Sequence, residues 1–150
     1  VSVGRFAGGE WSSSVPDFVS VEGRLGVPLG TDLAAAREAF EVALDDGESP
    51  PPDVEWTGGQ FAPGATPPDH PFVQTVAAAV TAERGTPARL TGVPYGADMR
   101  LFCAKGIPTV MCGTPGLELA HAVDERVRID DLAATARIIV RSTLDHPQGV

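Results

Sequence analysis

The chain has 150 residues, of which 43 % are hydrophobic and 21 % are charged, and its formal net charge is −9. This length suits one ordinary domain or two small ones, and the hydrophobic content excludes an intrinsically disordered chain. The acidic balance argues against nucleic acid and against an anionic membrane surface as partners, because both attract clustered lysine and arginine. No apolar run approaches the roughly 20 residues that a membrane-spanning helix needs.

Two predicted strands open the chain. The stretch VSVGRFAGG ends at paired glycines, which predicts a short strand over residues 1–9. The stretch from residue 18 to residue 27 alternates apolar and polar residues, which predicts a half-buried strand with one wet face. The inward face would hold Val19, Val21, Leu25 and Val27, and the wet face Ser20, Glu22 and Arg24.

A helix and a third strand complete the first part of the chain. Thr31 is expected to cap a helix that runs to Leu44. The apolar stripe of this helix would be Leu33, Ala36, Phe40 and Leu44. After a proline-rich connector, residues 54–62 predict another strand. We therefore expect a β-β-α-β segment with an antiparallel sheet over residues 1–62, and a domain boundary in the proline-rich stretch 63–71.

The remainder of the chain alternates helices and strands. Asp69 is expected to cap a helix over residues 70–84, which Gly85 ends, with Phe72, Val73, Val76 and Val80 inside. A strand at 88–92, a short helix at 96–106 and a fully buried strand at 107–113 follow. A last helix would begin at Asp130 or Asp131, end at Leu144, and bury Leu132, Ala136, Ile139 and Thr143. This order predicts part of a parallel-sheet α/β layer, and hence an α/β fold class.

The two cysteines, Cys103 and Cys112, lie in apolar segments and form no CxxC pair. We expect buried free thiols in a cytoplasmic protein, and the single disulfide of a secreted protein stays as the alternative.

The three histidines differ in their surroundings. His146 lies near the C-terminus, and His70 precedes a proline at a helix start, where a solvated or capping role is expected. His121 follows a predicted buried strand at the edge where α/β folds place their sites, so a structural histidine and a functional one both stay open. One histidine cannot hold zinc, because a catalytic zinc needs about three protein ligands. The chain has no HxH, HxD or HExxH motif and no GxSxG elbow.

Three segments taken together resemble one enzyme family. The stretches GRFAGGEWSSSVPDFVSVEGRLGV, HPFV and GVPYGADMRLFCAKGIPTVMCGTPGLELAHAVDERVRIDDL occur in the order and spacing of the zinc-dependent amidohydrolases and exopeptidases. That family includes acetylornithine deacetylase, succinyl-diaminopimelate desuccinylase, aminoacylase and carboxypeptidase G. The sequence most resembles its acetylornithine-deacetylase-like members.

The resemblance implies two domains that are each incomplete. Residues 1–62 match the C-terminal part of a lid or dimerisation domain, and residues 70–150 match the C-terminal part of a zinc-dependent catalytic domain. Because the chain begins with Val1 inside a predicted strand, we expect it to be the C-terminal portion of a longer enzyme. The family's HxD motif, bridging aspartate and Glu-Glu pair would lie in the missing half.

The resemblance also carries site residues over. His121 matches the family's C-terminal zinc ligand, Gly116 lies in the loop that lines the substrate site, and Asp98 matches an aspartate near the active site. Ser13 falls where many relatives have an asparagine that reaches the substrate. Glu125 matches a glutamate that we expect to order the loop rather than bind zinc.

Two further positions depart from the family pattern. Gly26 stands where carboxypeptidase-like members have an arginine for the substrate carboxylate, and Arg24 is offset from it by two positions. Ala122 stands where threonine or serine is common.

The activity implied is metal-assisted hydrolysis of an amide bond in an N-acyl amino acid or a small peptide, with one or two zinc ions, or another divalent metal such as cobalt. No catalytic residue is expected in this chain, since the general base would lie in the missing half, and the chain alone is expected to be inactive.

The expected partners are the missing N-terminal half and a second copy bound through the lid. Two alternatives remain: a non-catalytic dimerisation or interaction module, and an unrelated α/β binding protein.

Overall fold

The computed structural model describes residues 1–146. The chain divides into two compact units, Val1–Pro63 and Gly64–Val150. Helices and a small antiparallel sheet are both present, which confirms the mixed α/β class. Within residues 1–146, no helix has both the length and the apolar character that a membrane crossing requires.

The first unit begins with a β-hairpin. Strand β1 (Ser2–Gly8) pairs antiparallel with strand β2 (Val19–Arg24), and Phe6 lies opposite Val21. The Arg5 guanidinium contacts the Glu22 carboxylate at 2.8 Å across the two strands. Gly23 permits the close approach, because a Cβ atom at that position would lie 2.5 Å from the carbonyl oxygen of Ser2.

The prediction that β2 has one buried face is wrong in this structure. The apolar side chains on both strands are exposed to solvent, namely Val3, Phe6, Val19 and Val21. A strand buries a face only where another element covers it. The helix that follows, α1 (Leu33–Leu44), makes no packing contact with the hairpin, so the expected helix-on-sheet layer is also not formed.

Helix α1 packs instead against the segment that follows it. The Phe40 and Trp56 rings meet edge to face with centroids 5.6 Å apart, and the Arg37 guanidinium lies 5.6 Å above the Trp56 ring. The Trp56 indole N–H donates to the Glu41 carboxylate at 2.6 Å. The strand predicted at 54–62 is therefore not formed, because the side chain of Trp56 covers the helix and the segment pairs with no strand.

The N-cap of α1 is one residue later than predicted. The Asp32 side chain accepts the backbone N–H groups of Ala34 and Ala35, at 2.8 and 3.2 Å. A carboxylate in this position satisfies free amide groups and interacts favourably with the positive end of the helix dipole. Asp32 therefore caps the helix where Thr31 was expected to do so.

The second unit is built on a helix pair. Helices α2 (Pro71–Arg84) and α4 (Ile129–Asp145) pack together, and the short helix α3 (Met99–Cys103) lies between them in sequence. The His70 Nδ1 atom accepts the Phe72 N–H at 3.1 Å, so His70 caps α2 in place of Asp69, and Gly85 ends the helix as predicted. Among residues 1–146 the buried hydrophobic side chains are those of Val73, Ala79, Ala134 and Ile138.

The buried face of α4 is not the predicted one. The buried residues are Ala134, Thr135, Ile138 and Ser142, whereas the predicted stripe of Leu132, Ala136, Ile139 and Thr143 is exposed. Small residues at a helix contact let two backbones approach closely, and three of the four buried residues are small. Helix α2 therefore covers the side of α4 that carries the smaller residues, two of them with hydroxyl groups, and leaves the predicted stripe uncovered.

The strands predicted at 88–92 and 107–113 are not formed in the described part of the chain. A strand forms its ladder of hydrogen bonds with a second strand, and in the described residues neither segment lies beside one. The second segment is not buried either, since Ile107 and Met111 are 50 % and 42 % exposed. The parallel sheet expected from these strands is consequently absent from residues 64–146.

Two ion pairs connect α2 to α4. Arg84 contacts Asp131 at 2.6 Å, and the Arg137 guanidinium donates through Nε and Nη2 to one oxygen of Glu83, at 2.9 and 2.7 Å. This guanidinium holds the pKa of the Glu83 carboxyl below its usual value of about 4.5.

Replacing Glu83 with glutamine is expected to lower the thermal unfolding midpoint at pH 7. Because the pKa of Glu83 is lower in the folded state than in the unfolded state, its contribution is complete above about pH 4.5 and is lost as the pH falls through the folded-state value. The difference between wild type and Glu83→Gln should therefore vanish in acid. Calorimetry at pH 7 and in acid measures it, and Glu38→Gln is a charge-matched control. An equal difference at both pH values would contradict the assignment.

Candidate metal-ligand loop

The loop that presents His121 begins at Gly116. This glycine has φ 97°, a left-handed backbone that favours glycine, and it starts a 3-10 turn over Leu117–Leu119. The turn closes through hydrogen bonds from the Leu119 N–H to the Gly116 carbonyl and from the Ala120 N–H to the Leu117 carbonyl, at 2.9 and 3.0 Å. We refer to residues 116–125 as the histidine loop.

His121 has an unusual backbone and a free side chain. Its φ is 64°, and every other described residue with positive φ is a glycine. A side chain in this region costs about 1–2 kcal/mol, so the surroundings must hold the conformation. The residue is exposed, and its imidazole makes no hydrogen bond to any residue from 1 to 146. Both ring nitrogens are therefore available to an external ligand.

The carboxylates near His121 have different partners. The Glu125 carboxylate accepts the backbone N–H of His121 at 3.1 Å. Asp124 instead pairs with the Arg126 guanidinium, which also donates to the Asp124 carbonyl. The two neighbouring acidic residues thus have separate functions, one directed at the His121 backbone and one neutralised by arginine.

These residues fit one position of a metal coordination shell rather than a complete shell. Within residues 1–146 no group of three or more His, Cys, Asp or Glu side chains could hold a metal ion. The prediction of two buried thiols is wrong, because Cys112 is exposed and Cys103 is half-buried. Partial desolvation still raises the pKa of the Cys112 thiol, which disfavours the thiolate that binds metals. Cys103 lies beside the Thr66 hydroxyl at 4.0 Å. A site built from Cys103, Cys112 and His121 therefore has no support in this structure.

The other predicted site residues lie on both units. Gly116 and His121 share the histidine loop, and Asp98 lies at the start of α3, where its side chain makes no capping bond. Ser13 belongs to the first unit and lies in the exposed loop between β1 and β2, next to a turn that Ser14 closes onto the Trp11 carbonyl. Their roles toward a substrate stay predictions.

One anchoring contact was not visible in the sequence. The Thr66 hydroxyl donates to the Thr109 carbonyl at 2.6 Å and accepts the Thr109 N–H at 2.8 Å. This pair fixes the segment that leads into the histidine loop. Since the two residues are 43 positions apart, no local sequence pattern indicates the contact.

Comparison with known proteins is consistent with the resemblance. A relative from Bacillus subtilis (strain 168), called "Uncharacterized protein YqjE", is 31 % identical over 144 residues, which are 93 % of this chain and 38 % of the relative. The chain thus spans well under half of that protein's length. No solved structure matches the chain. The sequence model of the peptidase family M20/M25/M40 matches residues 9–145. Because the match covers most of its length, the chain belongs to the peptidase family M20/M25/M40.

Proposed function

We propose that this chain supplies the C-terminal part of a metal-dependent hydrolase that cleaves an amide bond of an N-acyl amino acid or a small peptide. The observation that carries the proposal is the exposed His121 imidazole, which has no protein partner within residues 1–146 and is presented by a loop of a peptidase-family chain. A free imidazole is a common ligand for zinc and for several other divalent metals.

In this proposal, His121 is one metal ligand, and the remaining ligands and the general base come from sequence outside this chain. The relative is long enough to contain such sequence, since this chain covers 38 % of it. When bound, a divalent metal would act as a Lewis acid on the scissile carbonyl. Zinc is our first choice, with cobalt as a substitute, and either one or two ions would satisfy the proposal.

The remaining residues of the proposed site would act on the substrate. Gly116 would line the substrate pocket and Asp98 would support it. Ser13 would be a substrate-binding residue, as the resemblance implies. We propose an acetylornithine-deacetylase-like specificity because of the sequence motifs around these residues. We further propose a cytoplasmic location, since Cys103 and Cys112 are both free thiols.

The first unit favours a second candidate, a dimerisation module. The apolar face of the hairpin is exposed, with Phe6 and Val3 at 72 % and 61 %. Exposed apolar surface of this kind is typical of sites that contact another protein. A homodimer formed through residues 1–62 would serve the enzyme or act without catalysis. Two results together would favour the non-catalytic module. The dimer would persist after metal chelation, and the chain would have no role in hydrolysis.

Zinc content and N-acetyl-amino-acid hydrolysis of the purified chain test the proposal directly. We expect no stoichiometric zinc and no turnover, because one histidine provides too few ligands. His121→Ala should behave identically in both measurements. Tight zinc binding with turnover, both lost in His121→Ala, would show a complete site within these residues and would contradict the division of ligands proposed here.

A further inference from the structure

The residue that follows His121 by four positions contacts its backbone rather than its imidazole. Glu125 Oε2 accepts the His121 N–H at 3.1 Å. The Glu125 N–H in turn donates to the Ala122 carbonyl at 3.2 Å, and the Ala122 N–H donates to the Leu119 carbonyl at 3.0 Å. These three hydrogen bonds involve residues before and after His121 in the chain, and together they hold its left-handed backbone.

The contact is specific to one of two adjacent carboxylates. Asp124 precedes Glu125 directly, yet its side chain pairs with Arg126 and does not contact His121. A hydrogen bond from a backbone amide to an ionised carboxylate is stronger than one to a neutral acceptor. Glu125 therefore provides the contact that opposes the unfavourable backbone conformation of His121.

We propose that Glu125 is the positioning residue of His121: it holds the His121 backbone in the left-handed conformation and thereby directs the imidazole away from the loop. Glu125 acts through His121 and does not itself ligate the metal. The consequence for metal binding rests on the function proposed above, whereas the effect on the backbone does not. An experiment can therefore disprove the effect on metal binding without disproving the effect on the His121 backbone.

Amide hydrogen exchange of His121, measured by NMR on the full chain, tests the positioning role. In Glu125→Ala the exchange should accelerate by at least about tenfold, since one charge-assisted hydrogen bond is lost. The Cα and Cβ shifts of His121 should also move away from left-handed values. Glu125→Gln should restore both in part, because its neutral amide oxygen accepts the same bond more weakly than the carboxylate does. Asp124→Ala is the matched control and should leave His121 unchanged.

Three outcomes would overturn the positioning role. In the first, Glu125→Ala leaves the exchange and the shifts of His121 as in wild type. In the second, Glu125→Gln shows no recovery relative to Glu125→Ala, which would mean that an oxygen able to accept the His121 N–H is not what holds the backbone. In the third, Asp124→Ala has the larger effect. Unchanged amide shifts outside residues 116–126 would show that each variant remains folded.

A titration with nickel(II) chloride, followed on the imidazole resonances, separates this proposal from the proposed function. Wild type should show the lowest midpoint at His121, Glu125→Ala should need a severalfold higher concentration, and Glu125→Gln should fall between them. His70, whose Nδ1 is occupied by the Phe72 N–H, is the internal reference. No response of His121 in wild type would contradict its role as a ligand, while the exchange data would still decide the role of Glu125.

Discussion

Replacement of His121 with alanine is expected to abolish amide hydrolysis in an enzyme that contains this chain as its C-terminal part. A suitable enzyme is a chimera in which residues 9–145 replace the matching segment of the Bacillus subtilis relative, which aligns over 93 % of this chain. Loss of a residue that only supports a metal ligand costs about 10- to 100-fold, so loss of the ligand itself should lower kcat/KM by at least about 100-fold.

The matched control for this experiment is His70→Ala in the same chimera. His70 caps α2 through its Nδ1 atom and is therefore expected to affect stability rather than hydrolysis. Metal content should fall in the His121 variant and stay constant in the His70 variant. An active chimera that retains both its metal and its kcat/KM after His121→Ala would contradict the assignment of His121 as a ligand.

The largest stability effect is expected from Ile138→Ala. Ile138 is 3 % exposed and lies on the face of α4 that packs on α2. Truncating it removes buried apolar surface and leaves a cavity, which together cost about 2–5 kcal/mol. Few other hydrophobic side chains are buried in the described part of the chain, so this loss should unfold the helix pair under mild conditions. Urea unfolding, followed by far-UV circular dichroism, measures the change in the free energy of unfolding.

The adjacent residue provides the control. Ile139 is 56 % exposed, so Ile139→Ala makes the same chemical change on the uncovered side of α4 and should alter the free energy of unfolding by less than about 0.5 kcal/mol. If Ile139→Ala were the more destabilising of the two, the face of α4 that packs on α2 would be the one predicted from sequence. The pair of variants therefore tests the observed helix orientation directly.

The helices were predictable because their determinants are local. Capping residues, a stop at Gly85 and the spacing of apolar residues lie within a few positions of one another, and all four predicted helices are present. Even so, the capping residue of α1 was misplaced by one residue, and for α2 two adjacent residues were expected to cap, of which only His70 does so. The competing candidates, Thr31 and Asp32 or Asp69 and His70, are adjacent, and only side-chain geometry distinguishes them.

The strands were less predictable because a strand depends on a partner that sequence proximity does not provide. β1 and β2 are consecutive along the chain and pair antiparallel, whereas 54–62, 88–92 and 107–113 pair with no strand in the described residues. The prediction of which face of α4 is buried was wrong for a related reason. An amphipathic pattern shows which side of a helix is more apolar, but it does not show that a neighbour covers that side, and in α4 the covered side includes the hydroxyl-bearing residues Thr135 and Ser142.

For the candidate site, the sequence by itself determined the family motifs, the candidate ligand His121 and the expectation that Glu125 orders the loop. Only the tertiary structure decided how that order arises: the His121 backbone is left-handed, and the Glu125 carboxylate accepts its N–H group while Asp124 pairs with Arg126. A motif fixes which residues are present and how far apart they lie along the chain. Backbone dihedral angles and the choice between two adjacent carboxylates depend on the packing and hydrogen bonds of the folded loop.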